Sequence, residues 1–210
     1  MSTVLIADDH PLVRAGIRQC LQEDSSIREI GEASTGQQTL ERLRENRWDL
    51  LVLDINMPDR SGLDILKYVR TGFPDTRVLV VSGFPERQYA VNLLRAGASG
   101  YLPKESAPEE LLKAVHAVMA GKRYVSANLA ELLVNELDVD NDKPIHSQLS
   151  DREFQIFCKL AGGKTVSDIA AELFLSVKTV STYRSRVLEK MRFQSNADIT
   201  SYALRNGLMQ

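Results

Sequence analysis

Short apolar runs alternate with segments of helical periodicity along the first 122 residues. Each run is continuous and rich in aliphatic or β-branched side chains, which predicts strands near 3–7, 27–32, 50–54, 77–81 and 99–102. Apolar positions spaced three and four apart predict helices near 11–22, 36–46, 62–71, 86–97 and 108–120. This alternation is typical of an α/β doubly wound fold with a five-stranded parallel sheet.

The strand signals stop at about residue 123. The segment 136–148, ELDVDNDKPIHSQ, is polar, acidic and contains proline, which is typical of a linker. The pattern after Leu149 is helical, with four residues that carry N-cap signals: Ser150, Thr165, Ser176 and Ser195. We therefore predict an α/β domain, a helical extension with a linker, and a small all-α domain of four helices. These three segments are 1–122, 123–148 and 149–210.

A short helix and a longer one, separated by a tight turn at FLS, predict a helix-turn-helix in the last segment. The short helix is expected to place on one face Val166, Ile169, Ala170, Leu173 and Phe174. The longer helix, about 177–191, is expected to turn four residues to the core: Val177, Val180, Val187 and Met191. Its other side carries small hydroxyls and basic residues, which suit the base edges and phosphates of DNA. A merely solvated polar face is the alternative interpretation.

Polar side chains close four of the predicted strands. Asp8 and Asp9 follow TVLIA, and Asp54 closes LLVLD. Carboxyl ends of parallel strands share the edge of an open sheet where ligands bind, and carboxylates gathered there repel one another unless a cation joins them. Ser82 follows RVLVV and Lys104 follows GYLP. The set suits phosphoryl transfer to a carboxylate, with Mg2+, a hydroxyl and an ammonium nearby.

Residues 1–122 resemble the receiver domain of bacterial response regulators. The resemblance rests on four segments: ADD at 7–9, LDINMPDRSG at 53–62, VVSG at 80–83 and GYLPK at 100–104. It implies that Asp54 is the phosphoacceptor, that Ser82 hydrogen-bonds the phosphoryl group and that Lys104 pairs with it. It also implies that Tyr101 changes rotamer when Ser82 moves. The implied Mg2+ ligands are Asp8, Asp9, Asp54 and the backbone carbonyl of Asn56.

The segment 149–210 is similar to the four-helix DNA-binding domain of the LuxR group. It matches through LSDREFQIF, through GKTVSDIAAELFLSVKTVSTYRSRVLEKM and through a closing helix at 196–206. In tandem with a receiver, this is the arrangement of the NarL/FixJ class. The implied DNA-facing residues are Lys178, Thr179, Ser181, Thr182 and Ser185. The implied contacts to the DNA backbone are Lys164, Tyr183, Arg184, Arg186 and Lys190.

These resemblances imply a transcription factor whose binding to double-stranded promoter DNA is controlled by Mg2+-dependent phosphorylation of Asp54 by a sensor histidine kinase. We expect a homodimer when the protein is phosphorylated or DNA-bound, and no enzyme activity on other molecules. An aspartyl-phosphate hydrolase would need an acid two positions after Asp54, where Asn56 stands. A nicotinamide dehydrogenase would need a glycine-rich turn after the first strand. A receiver that has lost phosphorylation is disfavoured because all five polar residues at the predicted strand ends are present: Asp8, Asp9, Asp54, Ser82 and Lys104.

Charge divides along the same boundary. The segment 149–210 carries nine Lys or Arg against six Asp or Glu, a net charge of +3. Because the whole chain has a net charge of −2, residues 1–148 carry −5. The basic segment 149–210 suits a polyanion as its partner, and the acidic remainder suits a divalent cation. Because no apolar run is long enough to cross a bilayer and the N-terminus opens into a strand, we expect a cytoplasmic protein without a membrane partner. Cys20 and Cys158 are isolated and are expected to be buried, reduced thiols.

Overall fold

The computed structural model describes residues 1–57, 59–83, 86–106, 108–126, 129–131 and 144–208, without the side chains of 86–89, 147 and 151. The chain divides into two units, Met1–Asn135 and Glu136–Gln210. The division falls inside the segment predicted as extension and linker, most of whose residues after 131 lie outside the described part. The three predicted domain boundaries stay a prediction.

The first unit is a five-stranded parallel sheet with helices between its strands. The strands are β1 (Ser2–Ala7), β2 (Ile27–Ala33), β3 (Leu50–Leu53), β4 (Arg77–Ser82) and β5 (Gly100–Pro103), in the order β2-β1-β3-β4-β5. The helices are α1 (Pro11–Gln22), α2 (Gly36–Glu45), α3 (Gly62–Gly72), α4 (Glu86–Arg95) and α5 (Pro108–Met119). The predicted fold class is confirmed, and the predicted ends differ from these by at most two residues.

The core of the first unit lies on both faces of the sheet. On one face, Ile6 and Leu79 pack in a single apolar cluster with Ile17 of α1 and Val115 of α5. Alternate strand positions such as Leu51 are fully buried as well, so both faces are covered. This burial explains why the central strands read as apolar runs, with polar residues only at or next to their ends.

The second unit is helical. A 3-10 turn (Ile145–Gln148) precedes α6 (Asp151–Ala161), α7 (Val166–Glu172), α8 (Val177–Met191) and α9 (Asn196–Arg205). All four predicted N-caps are confirmed, since each cap side chain accepts a hydrogen bond from the backbone N–H three residues later. Three of them close full capping boxes with Glu153, Asp168 and Asp198.

Two predicted core positions of this unit are wrong. Phe174 is 72% exposed and Val177 is 52% exposed. The helix α7 ends before Phe174, whose φ of +52° is left-handed, so helical periodicity no longer sets the direction of its side chain. Val177 is the first residue of α8, where no preceding turn covers it.

The two thiols are less buried than predicted. Cys20 and Cys158 are both partly buried, and both are free cysteines. Burial raises the pKa of Cys20, and the neighbouring Glu23 adds to that rise. Among the described residues, no helix combines the length and apolarity that a bilayer span requires.

Candidate functional site

The acidic cluster, which comprises Asp8, Asp9 and Asp54, lies where the strand order reverses. Asp8 follows β1 and Asp54 follows β3, and the two strands are neighbours in register, with Ala7 opposite Leu53. The Asp54 N–H donates to the Ala7 carbonyl at 2.8 Å, which continues the ladder one step beyond the strands. Asp8 and Asp54 are almost fully buried, while Asp9 is partly exposed.

Lys104 supplies a cation to this cluster. Its Nζ lies 2.7 Å from Asp54 Oδ2 and 2.8 Å from Asp8 Oδ2. Its backbone N–H donates to the Ser82 carbonyl at 2.9 Å, which ties the residue after β5 to the end of β4. Four of the residues predicted for the pocket are thus in contact through Lys104: Asp8, Asp54, Ser82 and Lys104 itself. Lys104 and Asp54 are 50 positions apart in sequence.

Burial decides the direction in which the pKa of Asp54 is shifted. It raises the pKa of Asp54, against the opposing effects of the Lys104 ammonium and the Asn56 N–H, which donates to Asp54 Oδ1 at 3.0 Å. For Lys104, burial alone would lower the pKa, but the carboxylates of Asp54 and Asp8 outweigh it and raise the pKa. The ammonium form is thus strongly held, and several carboxylates still share one lysine. A second cation would relieve the remaining repulsion.

The ligand set suits a divalent metal ion. Asp8 Oδ2 and Asp9 Oδ1 are buried, and neither accepts a hydrogen bond of ordinary geometry. Carboxylate oxygens are the ligands that Mg2+ prefers. Asn56 lies beside the cluster through its N–H bond to Asp54, and the predicted use of its carbonyl as a ligand stays a prediction.

Sequence reasoning did not assign His10 to this site. Its Nδ1 lies 2.7 Å from Asp9 Oδ1 and 3.3 Å from Asp8 Oδ1. One ligand atom each from Asp8, Asp9, His10 and Asp54 falls within 4.8 Å of the others. His10 could have been assigned to the site from its position, because it directly follows two aspartates. It also precedes Pro11, and a residue before proline favours extended backbone.

Ser82 and Tyr101 lie on the two strands at the far side of the pocket. Ser82 ends β4 opposite Pro103, and Tyr101 lies inside β5. Both side chains are buried. Their places beside Lys104 fit the predicted roles in binding the phosphoryl group and in switching, which stay predictions.

A second candidate site is the outward side of α8. Five of the predicted DNA contacts are exposed there: Lys178, Ser181, Thr182, Ser185 and Arg186. The other predicted DNA contacts are exposed or partly exposed: Lys164, Thr179, Tyr183, Arg184 and Lys190. Six residues line an open concavity of about 340 Å³: Ser176, Lys178, Thr179, Thr182, Tyr183 and Arg186. A concave surface lined by hydroxyls and cations suits a polyanion.

Three of the basic residues predicted to contact DNA also hold the domain together. Lys190 Nζ pairs with Glu153 at 2.6 Å, and Lys164 Nζ pairs with Glu172 at 2.5 Å. Arg184 Nε donates to the side-chain oxygen of an α9 residue, Asn196, at 2.7 Å. Their predicted DNA contacts stay predictions, but replacing any of them would remove a contact within the domain as well as a charge.

Both halves of the chain match known families. Residues 4–116 match the family model described as response regulator receiver domain, and residues 147–203 match that described as bacterial regulatory proteins, luxR family. The chain is 34% identical over 209 residues to response regulator UvrY of Escherichia coli strain K12, with 99% of this chain and 96% of that protein covered. It is 36% identical over 210 residues to response regulator GacA of Pseudomonas protegens, with 100% and 98% covered.

Solved structures of RcsB response regulators are similar to the whole chain. One from Salmonella typhimurium has a TM-score of 0.72 at 25% identity and covers 96% of both chains. Another, from Salmonella enterica serovar Typhimurium, is bound to a promoter in the presence of the phosphomimetic BeF3−. Its TM-score is 0.62 at 26% identity, with 96% of this chain and 97% of that one covered. The chain therefore belongs to the NarL/FixJ class of response regulators, transcription factors rather than enzymes, in which a receiver domain precedes a LuxR-type DNA-binding domain.

Proposed function

We propose that phosphorylation of Asp54 controls DNA binding by this protein. The observation that carries the proposal is the buried Asp54 carboxylate, held 2.7 Å from the Lys104 ammonium at the sheet edge. The phosphoryl donor is a phosphohistidine of a sensor histidine kinase, or a small acyl phosphate. The protein acts in the cytoplasm, where it reaches both the kinase and promoter DNA.

The proposed chemistry is a single phosphoryl transfer. A carboxylate oxygen of Asp54 attacks the donor phosphorus, and a new O–P bond forms as the donor P–N bond breaks. The electron pair leaves with the donor imidazole, which takes up a proton. Lys104 pairs with the phosphoryl oxygens, and the Ser82 hydroxyl hydrogen-bonds to them. Hydrolysis of the acyl phosphate by water restores Asp54.

Mg2+ is the proposed cofactor, held by Asp8, Asp9, Asp54 and the carbonyl of Asn56. When bound, it neutralises charge on the phosphoryl oxygens. The convergence of buried carboxylate oxygens of Asp8 and Asp9, which have no hydrogen bond of ordinary geometry, supports this assignment.

Transmission of the signal starts at Ser82, which draws toward the new phosphoryl group. Tyr101 then changes rotamer, and the receiver surface alters its contacts with the DNA-binding domain or with a second receiver. We propose that the protein is a homodimer when phosphorylated or DNA-bound. The domain boundaries proposed for this switch are 1–122, 123–148 and 149–210.

On DNA, the outward side of α8 enters the major groove. The residues proposed to face the bases are Lys178, Thr179, Ser181, Thr182 and Ser185. Those proposed to contact phosphates are Lys164, Tyr183, Arg184, Arg186 and Lys190. The exposure of this side of α8 supports the proposal, as does the likeness of the whole chain to an RcsB response regulator solved with DNA.

Replacing the phosphoacceptor tests the function. Wild-type protein incubated with acetyl phosphate and Mg2+ should gain one phosphoryl group in intact-mass spectra, and Asp54→Asn should gain none. The matched control is Asp64→Asn, an exposed aspartate in the first turn of α3, which should be phosphorylated like the wild type. A phosphorylated Asp54→Asn species would refute the assignment. Footprints of promoter DNA should strengthen on phosphorylation of the wild type alone.

A further inference from the structure

We propose that His10 is a nitrogen ligand of the metal ion in the acidic cluster, so that this site takes transition ions such as Mn2+ and Ni2+ as well as Mg2+. The inference rests on the metal site of the proposed function and adds to it a ligand that the residue pattern did not predict. It concerns which ions the receiver accepts.

The backbone holds His10 in place for this role. Its N–H donates to Asp8 Oδ1 at 2.8 Å, and its φ and ψ of −86° and 110° are extended, as the following Pro11 favours. His10 is the N-cap of α1, but its side chain makes no capping hydrogen bond. The imidazole therefore returns over the cluster instead of turning toward the helix.

The distances fit one coordination sphere. Neighbouring ligand atoms of one six-coordinate ion with bonds of about 2.1 Å are roughly 3 Å apart. His10 Nδ1 lies 3.3 Å from Asp8 Oδ1 and 2.7 Å from Asp9 Oδ1.

A second observation points to a ligand in the same place. The Asp8 side chain is 2% exposed, and its Oδ2 forms an ion pair with the Lys104 ammonium at 2.8 Å without a hydrogen bond of ordinary geometry. A buried acceptor left in this state is suited to a metal ion. The site thus offers an imidazole nitrogen beside acceptors that are already desolvated.

A nitrogen ligand changes the selectivity of an oxygen site. Imidazole binds Ni2+ and its neighbours in the first transition row much better than it binds Mg2+, which prefers oxygen. In the competing arrangement, His10 Nδ1–H only donates to Asp9 and orients its carboxylate, and the Lys104 ammonium, 3.4 Å from this nitrogen, is the cation of the cluster. Those two arrangements differ in whether the nitrogen touches the metal.

Electron spin-echo spectroscopy of the full-length protein loaded with Mn2+ distinguishes them. We expect modulation from a directly bound histidine nitrogen, which changes to the 15N pattern in protein labelled with 15N-histidine. The His10→Gln variant should lose it. His116→Gln is the matched control, because its imidazole is also 57% exposed and also contacts an aspartate, Asp24, outside the cluster. Wild-type spectra without histidine coupling, or coupling that survives in His10→Gln, would overturn the proposal.

Calorimetric titration gives a second measurement. The His10→Gln substitution should weaken Ni2+ binding by about tenfold or more, because even outer-shell partners of metal ligands are worth 10–100-fold. The loss of Mg2+ affinity should be several times smaller, and equal losses for the two ions would contradict a nitrogen ligand. Should His10→Gln fail to fold by circular dichroism, the wild-type Mn2+ spectrum decides alone. Phosphorylation of wild-type protein with Mg2+ separately tests the proposed function.

Discussion

At the scale of single residues, one ammonium stabilises two buried carboxylates. Lys104 Nζ contacts both Asp8 and Asp54, and its own side chain is only 14% exposed. Breaking a buried ion pair leaves charge without compensation, which is far more costly than losing a surface pair. The residue proposed to pair with the phosphoryl group is therefore also a structural part of the metal-free receiver.

We predict that Lys104→Gln lowers the free energy of unfolding by about 2–3 kcal/mol at neutral pH in the presence of a chelator. The cost should shrink as the pH falls toward the raised pKa of Asp54, because the protonated Asp54 carboxyl no longer repels the neighbouring carboxylates. Urea denaturation at several pH values measures both effects. Lys113→Gln is the control, since its pair with Glu110 is solvent-exposed and should cost under about 0.5 kcal/mol. Equal costs for the two variants would contradict the role of Lys104.

His146 provides a residue-scale pH response in the second unit. Its Nδ1 lies 2.9 Å from the Tyr202 hydroxyl and its ring stacks on Phe154. Burial lowers the pKa of His146 below its usual 6.5. Between the lowered value and 6.5 the unfolded chain binds a proton that the folded chain does not, so stability is full above about 6.5 and is lost as the pH falls.

The thermal midpoint of the second unit should therefore drop between pH 7.5 and 5.5, and His146→Phe should reduce that drop. Circular dichroism melts of the two proteins check this. The imidazole resonances of His146 should titrate below 6.5 in proton spectra. A titration above 6.5, or identical pH dependence in the two proteins, would contradict the effect of burial.

At the scale of elements, α8 combines a DNA-facing side with an anchoring end. Thr182 and Ser185 hydroxyls bond to the backbone carbonyls four residues earlier, so they lie close to the helix surface. At the other end, Lys190 pairs with Glu153, whose side chain is 4% exposed. Burial alone would raise the pKa of Glu153, but Lys190 and the Ser150 N–H lower it.

The anchoring end predicts that Lys190→Ala destabilises the DNA-binding domain by about 1–3 kcal/mol, because a buried carboxylate loses its partner. Denaturant melts of the full chain measure the change. Arg186→Ala, at an exposed position of α8 outside this pair, should cost less stability and weaken binding to all DNA sequences about equally. A Lys190→Ala protein as stable as the wild type would show that the Glu153 contact contributes little.

The DNA-facing side predicts a change in specificity. Thr182→Ala should alter the sequence recovered in binding-site selection, because a short side chain on this side reaches base edges. The Arg186→Ala variant, on the same helix and also exposed, should recover the wild-type sequence at lower affinity and with a weaker salt dependence. The reverse result, with Thr182→Ala unchanged and Arg186→Ala altered, would reverse the proposed division of roles.

At the scale of the whole molecule, the chain is two units with separate cores. In the second unit Phe157, Val180 and Ile199 are fully buried, and its helices carry their own caps. Residues 149–210 of this unit carry a net charge of +3, in contrast to the acidic remainder of the chain. Each unit thus contains the interactions that its fold requires.

We predict that the fragment 136–210 folds alone and binds DNA without phosphorylation. Helical circular dichroism with a cooperative melt, followed by titration of labelled promoter DNA, checks both parts. The fragment 1–135 is the control, and it should be phosphorylated by acetyl phosphate but should not bind DNA. A fragment 136–210 without helical signal would contradict the independence of the second unit.

The sequence by itself determined the order and nearly the ends of the strands and helices. Buried strands are continuous apolar runs, and cap residues act within three positions of the helix start, so both signals are local. The convergence of Asp8 and Asp54 also followed, because parallel strands bring their carboxyl ends to one edge. Local signals failed at Phe174, where the helix had already ended.

Only the tertiary structure decided which side chains share a partner. Lys104 meets Asp8 and Asp54, His10 turns back over the cluster, and Lys190 reaches Glu153 across 37 positions. Such pairs join different elements, and their members look like ordinary solvated charges in the sequence. The physical reason is that periodicity records which side of an element is buried, whereas ion pairs and metal ligands depend on distances between elements that only packing sets.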